Sequence, residues 1–311
     1  MTESTDRTPA HGHDHAANLA NRSRLWTAIA IVAVVLVVEL LGAVLSGSLA
    51  LFADAGHMLS DLTGLLVALV ATVVAARPAT DRQTFGSRRA EVFGAMINGV
   101  ILLGVVIAIV AQGIQRLIEP QQRVQGGLML AVAVVGAVAN IAALLVLRGG
   151  ARDSINMRGA YLEVLGDLVG SVAVIVAAVV ILSTGFERAD AIASLAIASL
   201  ILPRALALLR DVVRVLSQSA PKGTDVALIR EHVLSKDGVV SIHDVHVWSM
   251  TSGSNVFSAH VVVESAVFSE GGTDLLLDSL CDCLSEHFDV SHSTFQLEPV
   301  EHADHEVEQH H

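Results

Sequence analysis

Apolar residues dominate six long stretches of this chain, at 25–45, 49–76, 91–118, 128–147, 160–182 and 189–209. Each is close to or beyond the roughly 20 residues that carry a helix across ~30 Å of hydrocarbon. The pattern predicts six membrane-spanning helices. After Pro221 the long runs stop, and shorter apolar patterns alternate with polar turns. There the spacing predicts a helix over 224–234, strands over 239–250 and 256–264 joined at "TSGSN", a helix over 273–288 and a strand over 293–298. The expected organisation is a membrane all-α six-helix domain at 25–210, then a linker and a small cytosolic α+β domain at 211–300. The polar ends, 1–24 and 301–311, read as disordered. Residues 1–24 lack the short basic region of a secretory signal, so the first span reads as retained.

Composition strengthens the membrane reading. Of 311 residues 53% are hydrophobic and 16% charged, and the mean hydropathy is +0.62. Lys and Arg collect in alternate connections: Arg22 and Arg24, then Arg77, Arg82, Arg88 and Arg89, then Arg148, Arg152 and Arg158, then Arg210, Arg214 and Lys222. The intervening connections hold only Arg123 and Arg188. That alternation places both termini and the soluble domain in the cytoplasm. The net charge of -12 is uneven: from Gly223 onward sixteen Asp and Glu face only Arg230 and Lys236. An acidic cytosolic domain is either a solubilising surface or a field that gathers cations. Nothing basic points to nucleic acid. The two cysteines, Cys281 and Cys283, are expected as reduced thiols.

Charges inside the spans are the informative exceptions, since each costs a few kcal/mol to insert. The second span carries His57 and Asp61 in "ADAGHMLSD", and the fifth carries Glu163 and Asp167 in "AYLEVLGDLVGS". Both pairs are spaced i, i+4, which stacks two side chains on one helix face. Two such faces can converge four ligands on one small divalent cation. A lone buried His or Asp is as often merely hydrogen-bonded to a neighbouring helix; two matched pairs are harder to explain that way. Neither of these spans supplies a Lys or Arg, so the neutralising charge is expected from metal or protons. Three crowded carboxylates repel one another, which favours proton uptake in the absence of metal. Metal entry and proton release are thereby coupled through the same ligands. Gly56, Gly64, Gly166, Gly170 and Ser171 permit close helix packing beside the pairs. Glu39 in the first span is a proton relay or a helix cap; Asn98, Asn140 and Gln112 read as interhelical hydrogen-bonding residues, and Asp190 as the outer edge of the sixth span.

The stretches "SGSLALFADAGHMLSDLTGLLVAL", "TFGSRRAEVFGAMIN", "INMRGAYLEVLGDLVGSVAVI", "ADAIASLAI" and "IHDVHVWSMTSGSNVFSAHVVV…HSTFQLEPV", in this order, resemble the cation diffusion facilitator family. The likeness runs from about Arg24 to Pro299. It implies a proton-coupled exporter of zinc, cobalt, cadmium or a similar divalent metal, and a homodimer. It also implies a metallochaperone-like αββαβ cytosolic domain. The transport site it implies is His57, Asp61, Glu163 and Asp167, with the metal as substrate, no organic cofactor and no enzymatic reaction. Zinc members usually carry His at the place of Glu163. One nitrogen and three oxygens make a harder, more anionic site, so zinc, cobalt and cadmium are expected and a manganese preference stays open. In the second-to-third connection, Gln83 and Ser87 stand near positions where some members place metal-binding His, so that loop site is expected to be absent. No His lies between Arg148 and Arg158.

In the cytosolic domain the resemblance points to His243, His260 and Glu298 as metal ligands, with Gln296 where the family has His. His246 and His292 read as fold residues. On the second cytosolic helix, Leu276, Leu277, Leu280, Leu284 and Phe288 mark the buried face, and Cys281 shares the other face with Asp274 and Asp278. Those three are a candidate regulatory site together with His243 or His260. The terminal histidines (His11, His13, His15, His302, His305, His310 and His311) read as weak metal capture or as sequence drift, the last pair as a vector remnant. The leading reading is a divalent-metal exporter in a bacterial inner membrane. The alternatives are a membrane metal sensor without transport and a carrier of an organic cation. The second lacks support, because aromatic residues able to cage such a cation are only 4%.

Overall fold

The computed structural model describes residues 12–75, 77–119, 123–148, 155–251, 254–269, 271–288 and 290–303. Six long helices come first: α1 (Gly12–Ser46), α2 (Leu49–Ala75), α3 (Ala90–Ile118), α4 (Gly126–Arg148), α5 (Ile155–Thr184) and α6 (Arg188–Leu216). All six have a stretch long and apolar enough to cross a membrane. They match the six expected spans within a few residues at most ends. The clearest difference is α1, which begins at Gly12 and so makes helical much of the stretch read as disordered. Ala16, Ala17, Leu19 and Ala20 are strong helix formers, and the apolar span propagates the helix through them. His11 lies outside the described residues, as do His305, His310 and His311 of the tail.

The chain divides into two units. The first comprises residues 1–65 and 98–206. Its core is built largely of small and β-branched side chains, among them Ala50, Ala53, Val106, Ile109, Ala133, Val174 and Ala178. Alanine-rich faces let helix backbones approach closely, which favours packing where apolar lipid removes the hydrophobic drive. Gly136 and Gly170 are used in this way: a methyl at either would strike the carboxylate of Glu39 or Asp54, respectively. Gly166, expected to serve packing, instead faces open space. Asn98 accepts from Ser60 Oγ at 3.2 Å, and Asn140 donates to Ser171 Oγ at 3.4 Å, linking helices as expected; Gln112 faces outward.

Asp190, in the first turn of α6, is almost wholly buried. It accepts from Ser48 Oγ at 2.5 Å, from the backbone N–H of Leu49 at 2.8 Å and of Ala50 at 3.1 Å, and from Arg116 at 3.2 Å. One carboxylate thus satisfies the first two orphan donors of α2, Ser48 Oγ takes the N–H of Leu51, and the negative charge complements the positive end of the helix dipole.

The second unit comprises residues 66–97 and 207–311. Its C-terminal part holds α7 (Val226–Leu234), β1 (Val239–Thr251), β2 (Ser254–Val263), α8 (Ser265–Ser269), α9 (Thr273–His287), β3 (Val290–Pro299) and α10 (Val300–Ala303). The sequence shows the αββαβ order and misses only the short α8 and α10. Asp225 caps α7 by accepting from the N–H groups of Ala227 and Leu228. The sheet order is β1-β2-β3, with β1 antiparallel and β3 parallel to β2. Leu276, Leu280 and Leu284 of α9 and Ile229 and Val233 of α7 pack on Phe257, Ala259, Val261 and Val263. Because strand side chains alternate, Ser258, His260 and Val262 point to the opposite face.

Candidate metal site

His57 and Asp61 sit one turn apart on α2, as their spacing requires. His57 Nε2 lies 3.5 Å from Asp61 Oδ2 and 3.9 Å from Asp167 Oδ1 of α5. One ligand atom from each of the three residues falls within 4.8 Å of the others. His57 and Asp167 are buried, and Asp61 is nearly so. The two carboxylate oxygens that face His57 Nε2, Asp61 Oδ2 and Asp167 Oδ1, are buried and have no hydrogen-bond partner among the described residues. Acceptors gathered out of water without donors are costly, and a cation among them removes that cost.

Glu163 occupies the turn before Asp167 on α5 but stands at the margin of the group. Its Oε1 accepts from Arg204 of α6 at 3.4 Å. The same guanidinium reaches His57 Nε2 at 3.2 Å. Guanidinium nitrogens only donate, so His57 Nε2 accepts and the ring proton sits on Nδ1. The lone pair on Nε2 is thus directed at Arg204, with the two aspartate oxygens beside it. Arg204 lies on neither of the two spans that carry the paired ligands. The signal was present: an arginine inside the sixth apolar span is as costly as any acid there.

A buried polar chain continues from this group. Asp54, one turn before His57, is buried and accepts from Ser171 Oγ at 3.4 Å. The one hydroxyl proton of Ser171 is shared with the backbone oxygen of Asp167 at 3.1 Å, and Ser171 receives from Asn140. Glu39 of α1 is fully buried, and both its carboxylate oxygens lack a hydrogen-bond partner among the described residues, so it caps no described helix. It lies within electrostatic reach of Asp54 and Asp167. Asp54 also escaped the sequence reading, although it is an acid three residues from His57 on the same apolar helix.

In the C-terminal domain a second group forms on the open face of the sheet. His260 Nδ1 meets Glu298 Oε1 at 2.7 Å, and His243 Nε2 meets Glu298 Oε2 at 3.3 Å. The cross-strand register His243↔His260 and His260↔Gln296 explains the convergence. Gln296 donates to Glu298 Oε1 at 2.7 Å. Asp244, in a bulge of β1 with φ of 47°, lies 3.5 Å from His243 Nδ1 and brings a third potential ligand atom near those of His243 and His260. Asp274, Asp278 and Cys281 are not part of this group. They are exposed on α9, which covers the other face of the sheet, so the strands separate them from His243 and His260. Cys281 is instead approached by Ser293 Oγ at 3.6 Å, and Cys283 is buried. His246 opens onto the same groove as His260, whereas His292 meets Phe85 edge-on at 5.9 Å. Gln83 accepts from Ser87 Oγ at 3.0 Å in the connection before α3.

Comparison with known proteins agrees with these elements. The cation efflux transmembrane domain matches residues 25–217, and the cation efflux protein cytoplasmic domain matches residues 221–300. The metal cation efflux system protein CzcD of Cupriavidus metallidurans is 39% identical over 94% of this chain and 92% of its own length. The zinc transporter ZitB of Escherichia coli is 40% identical over 93% of this chain and 92% of its own. A cadmium, cobalt and zinc/H(+)-K(+) antiporter of Bacillus subtilis is 35% identical over 94% and 93%. The chain belongs to the cation efflux family, the cation diffusion facilitators, and is an integral membrane protein.

Proposed function

We propose that this protein exports divalent transition-metal cations, zinc foremost with cobalt and cadmium, from the cytoplasm in exchange for protons. The observation that carries the reading is the convergence of His57 Nε2, Asp61 Oδ2 and Asp167 Oδ1 from two apolar helices, with both oxygens unpartnered. Glu163 is the fourth ligand in this reading, at the margin of the group and in side-chain hydrogen-bond contact with Asp61. Relatives named for zinc, cadmium and cobalt transport share most of the chain's length and support the choice of metals. Metal entering this set displaces protons held among the carboxylates, and protons returning displace the metal. Asp54 and Glu39, buried carboxylates within electrostatic reach of Asp167, are the groups placed to pass those protons.

The alternation of basic connections supports placing both termini and the C-terminal domain in the cytoplasm of a bacterial cell, with the protein in its inner membrane. The match to a cytoplasmic domain supports the same orientation, and its dimerisation name supports a homodimer. The His243, His260 and Glu298 group is a second, cytosolic metal site in this reading. Asp244 replaces the ligands that α9 does not supply.

Transport into inside-out vesicles with an imposed pH gradient, run separately for zinc, cobalt, cadmium and manganese, tests the reading. Gradient-dependent zinc uptake is expected. Metal binding without uptake would favour a membrane sensor. Selectivity has its own test. Glu163→His is expected to move the zinc-to-manganese transport ratio toward zinc by about tenfold, because a nitrogen replaces a hard oxygen donor. An unchanged ratio would remove Glu163 from the ligand set.

A further inference from the structure

Arg204 has no place in a minimal metal site, yet it touches both halves of this one. Its Nη1 meets His57 Nε2 of α2 at 3.2 Å, and its Nη2 meets Glu163 Oε1 of α5 at 3.4 Å. The nitrogen it engages is the one that faces Asp61 Oδ2 and Asp167 Oδ1. A single lone pair serves either a guanidinium hydrogen or a metal ion. The two partners of His57 are therefore mutually exclusive.

We propose that Arg204 is a tethered counter-cation that competes with the transported metal for His57 and Glu163. The inference rests on the site assignment under Proposed function. When the site is empty of metal, the guanidinium supplies positive charge to a group rich in carboxylates. When metal arrives, Arg204 withdraws, His57 Nε2 is freed and Glu163 is released to complete the ligand set. When metal leaves, Arg204 returns and blocks immediate recapture. Three features of the residue suit this role. Arginine keeps its proton at any physiological pH, so it competes steadily where protons compete only on demand. Its planar fork spans two acceptors that a lysine ammonium would reach one at a time. About half of its side chain is exposed, so it has room to move aside. Pro203 precedes it and removes the helical bond to the Ser199 carbonyl, which makes this the natural bending point of α6. Arg204 is thus a positioning residue that sets affinity and release rather than a ligand.

The test is zinc and cadmium binding to the purified full-length protein by calorimetry, paired with transport in proteoliposomes. Wild type, Arg204→Met, Arg204→Gln and Arg204→Lys are compared, with Asp61→Ala as the site-null control. Without the competitor, Arg204→Met and Arg204→Gln are expected to bind zinc about tenfold more tightly at the Asp61-dependent site. KM and kcat should fall together, because release slows. Arg204→Lys, which keeps the charge, should stay nearer wild type than either. Unchanged or weaker zinc binding in both neutral variants, with wild type active and Asp61→Ala inactive, would overturn the competitor role and leave the site assignment intact. A wild type that shows no Asp61-dependent binding would overturn the site assignment and this inference with it. Arg204→Gln supplies the answer should Arg204→Met fail to assemble, since glutamine retains polarity at the same place. If both neutral variants fail while Arg204→Lys assembles, the charge is structural and the competitor role is rejected.

Discussion

Alanine at Asp61 or Asp167 is expected to abolish zinc transport while leaving the protein folded. Each substitution removes a buried oxygen that faces His57 Nε2 and has no other partner. Loss of such a ligand should reduce transport by at least about 100-fold, since outer-shell changes alone cost 10–100-fold in metal sites. The metal-free protein should be little destabilised by the change at Asp167, whose Oδ1 is an unsatisfied buried acceptor, and more by the change at Asp61, which also loses its side-chain hydrogen bond with Glu163. Zinc should stabilise the wild type against thermal unfolding by about 2.7 kcal/mol at a concentration one hundred times its Kd. The variants should lose the part of that increment that the transport site supplies, and any shift that remains belongs to the His243, His260 and Glu298 group. Retained zinc transport would place the transport site elsewhere.

Alanine at Asp190 is expected to have the opposite profile, with a large loss of stability and little direct effect on metal affinity. The carboxylate gathers Ser48 Oγ, two backbone N–H groups of α2 and Arg116 in a buried setting. Losing it leaves the start of α2 without its cap and breaks a buried ion pair, which together cost on the order of 3–5 kcal/mol. Thermal unfolding of the detergent-solubilised protein measures this, and Asp190→Asn should fall between wild type and alanine. An unfolding temperature that does not move in either variant would show that water or other groups replace the cap.

The sequence made the six helices legible because burial in hydrocarbon demands long uninterrupted apolar runs. It made the His57–Asp61 and Glu163–Asp167 faces legible because i, i+4 spacing is local geometry. It did not show which residues from other helices reach that group, since packing decides this. Arg204 arrives from α6 and Asp54 turns inward from α2 for that reason. The same limit explains α9. Helix periodicity correctly separated its buried leucines from Cys281, Asp274 and Asp278. Only the sheet order shows that those polar residues lie on the far side of the strands from His243 and His260. Glu298, named with the histidines by the family resemblance, meets them as strand register requires, whereas Asp244 joins through a bulge that a single strand's pattern does not reveal.

The cap at Asp190 also fixes where α2 can pivot. A helix pinned at its first residues by another helix is a lever with its fulcrum at that end. At a rise of about 1.5 Å per residue, Asp61 stands ~18 Å along the arm from Leu49. A tilt of roughly 10° about the pin would carry its carboxylate ~3 Å, more than a metal–oxygen bond length of about 2 Å. Small rotations at the pinned end are therefore enough to assemble or dismantle the ligand set.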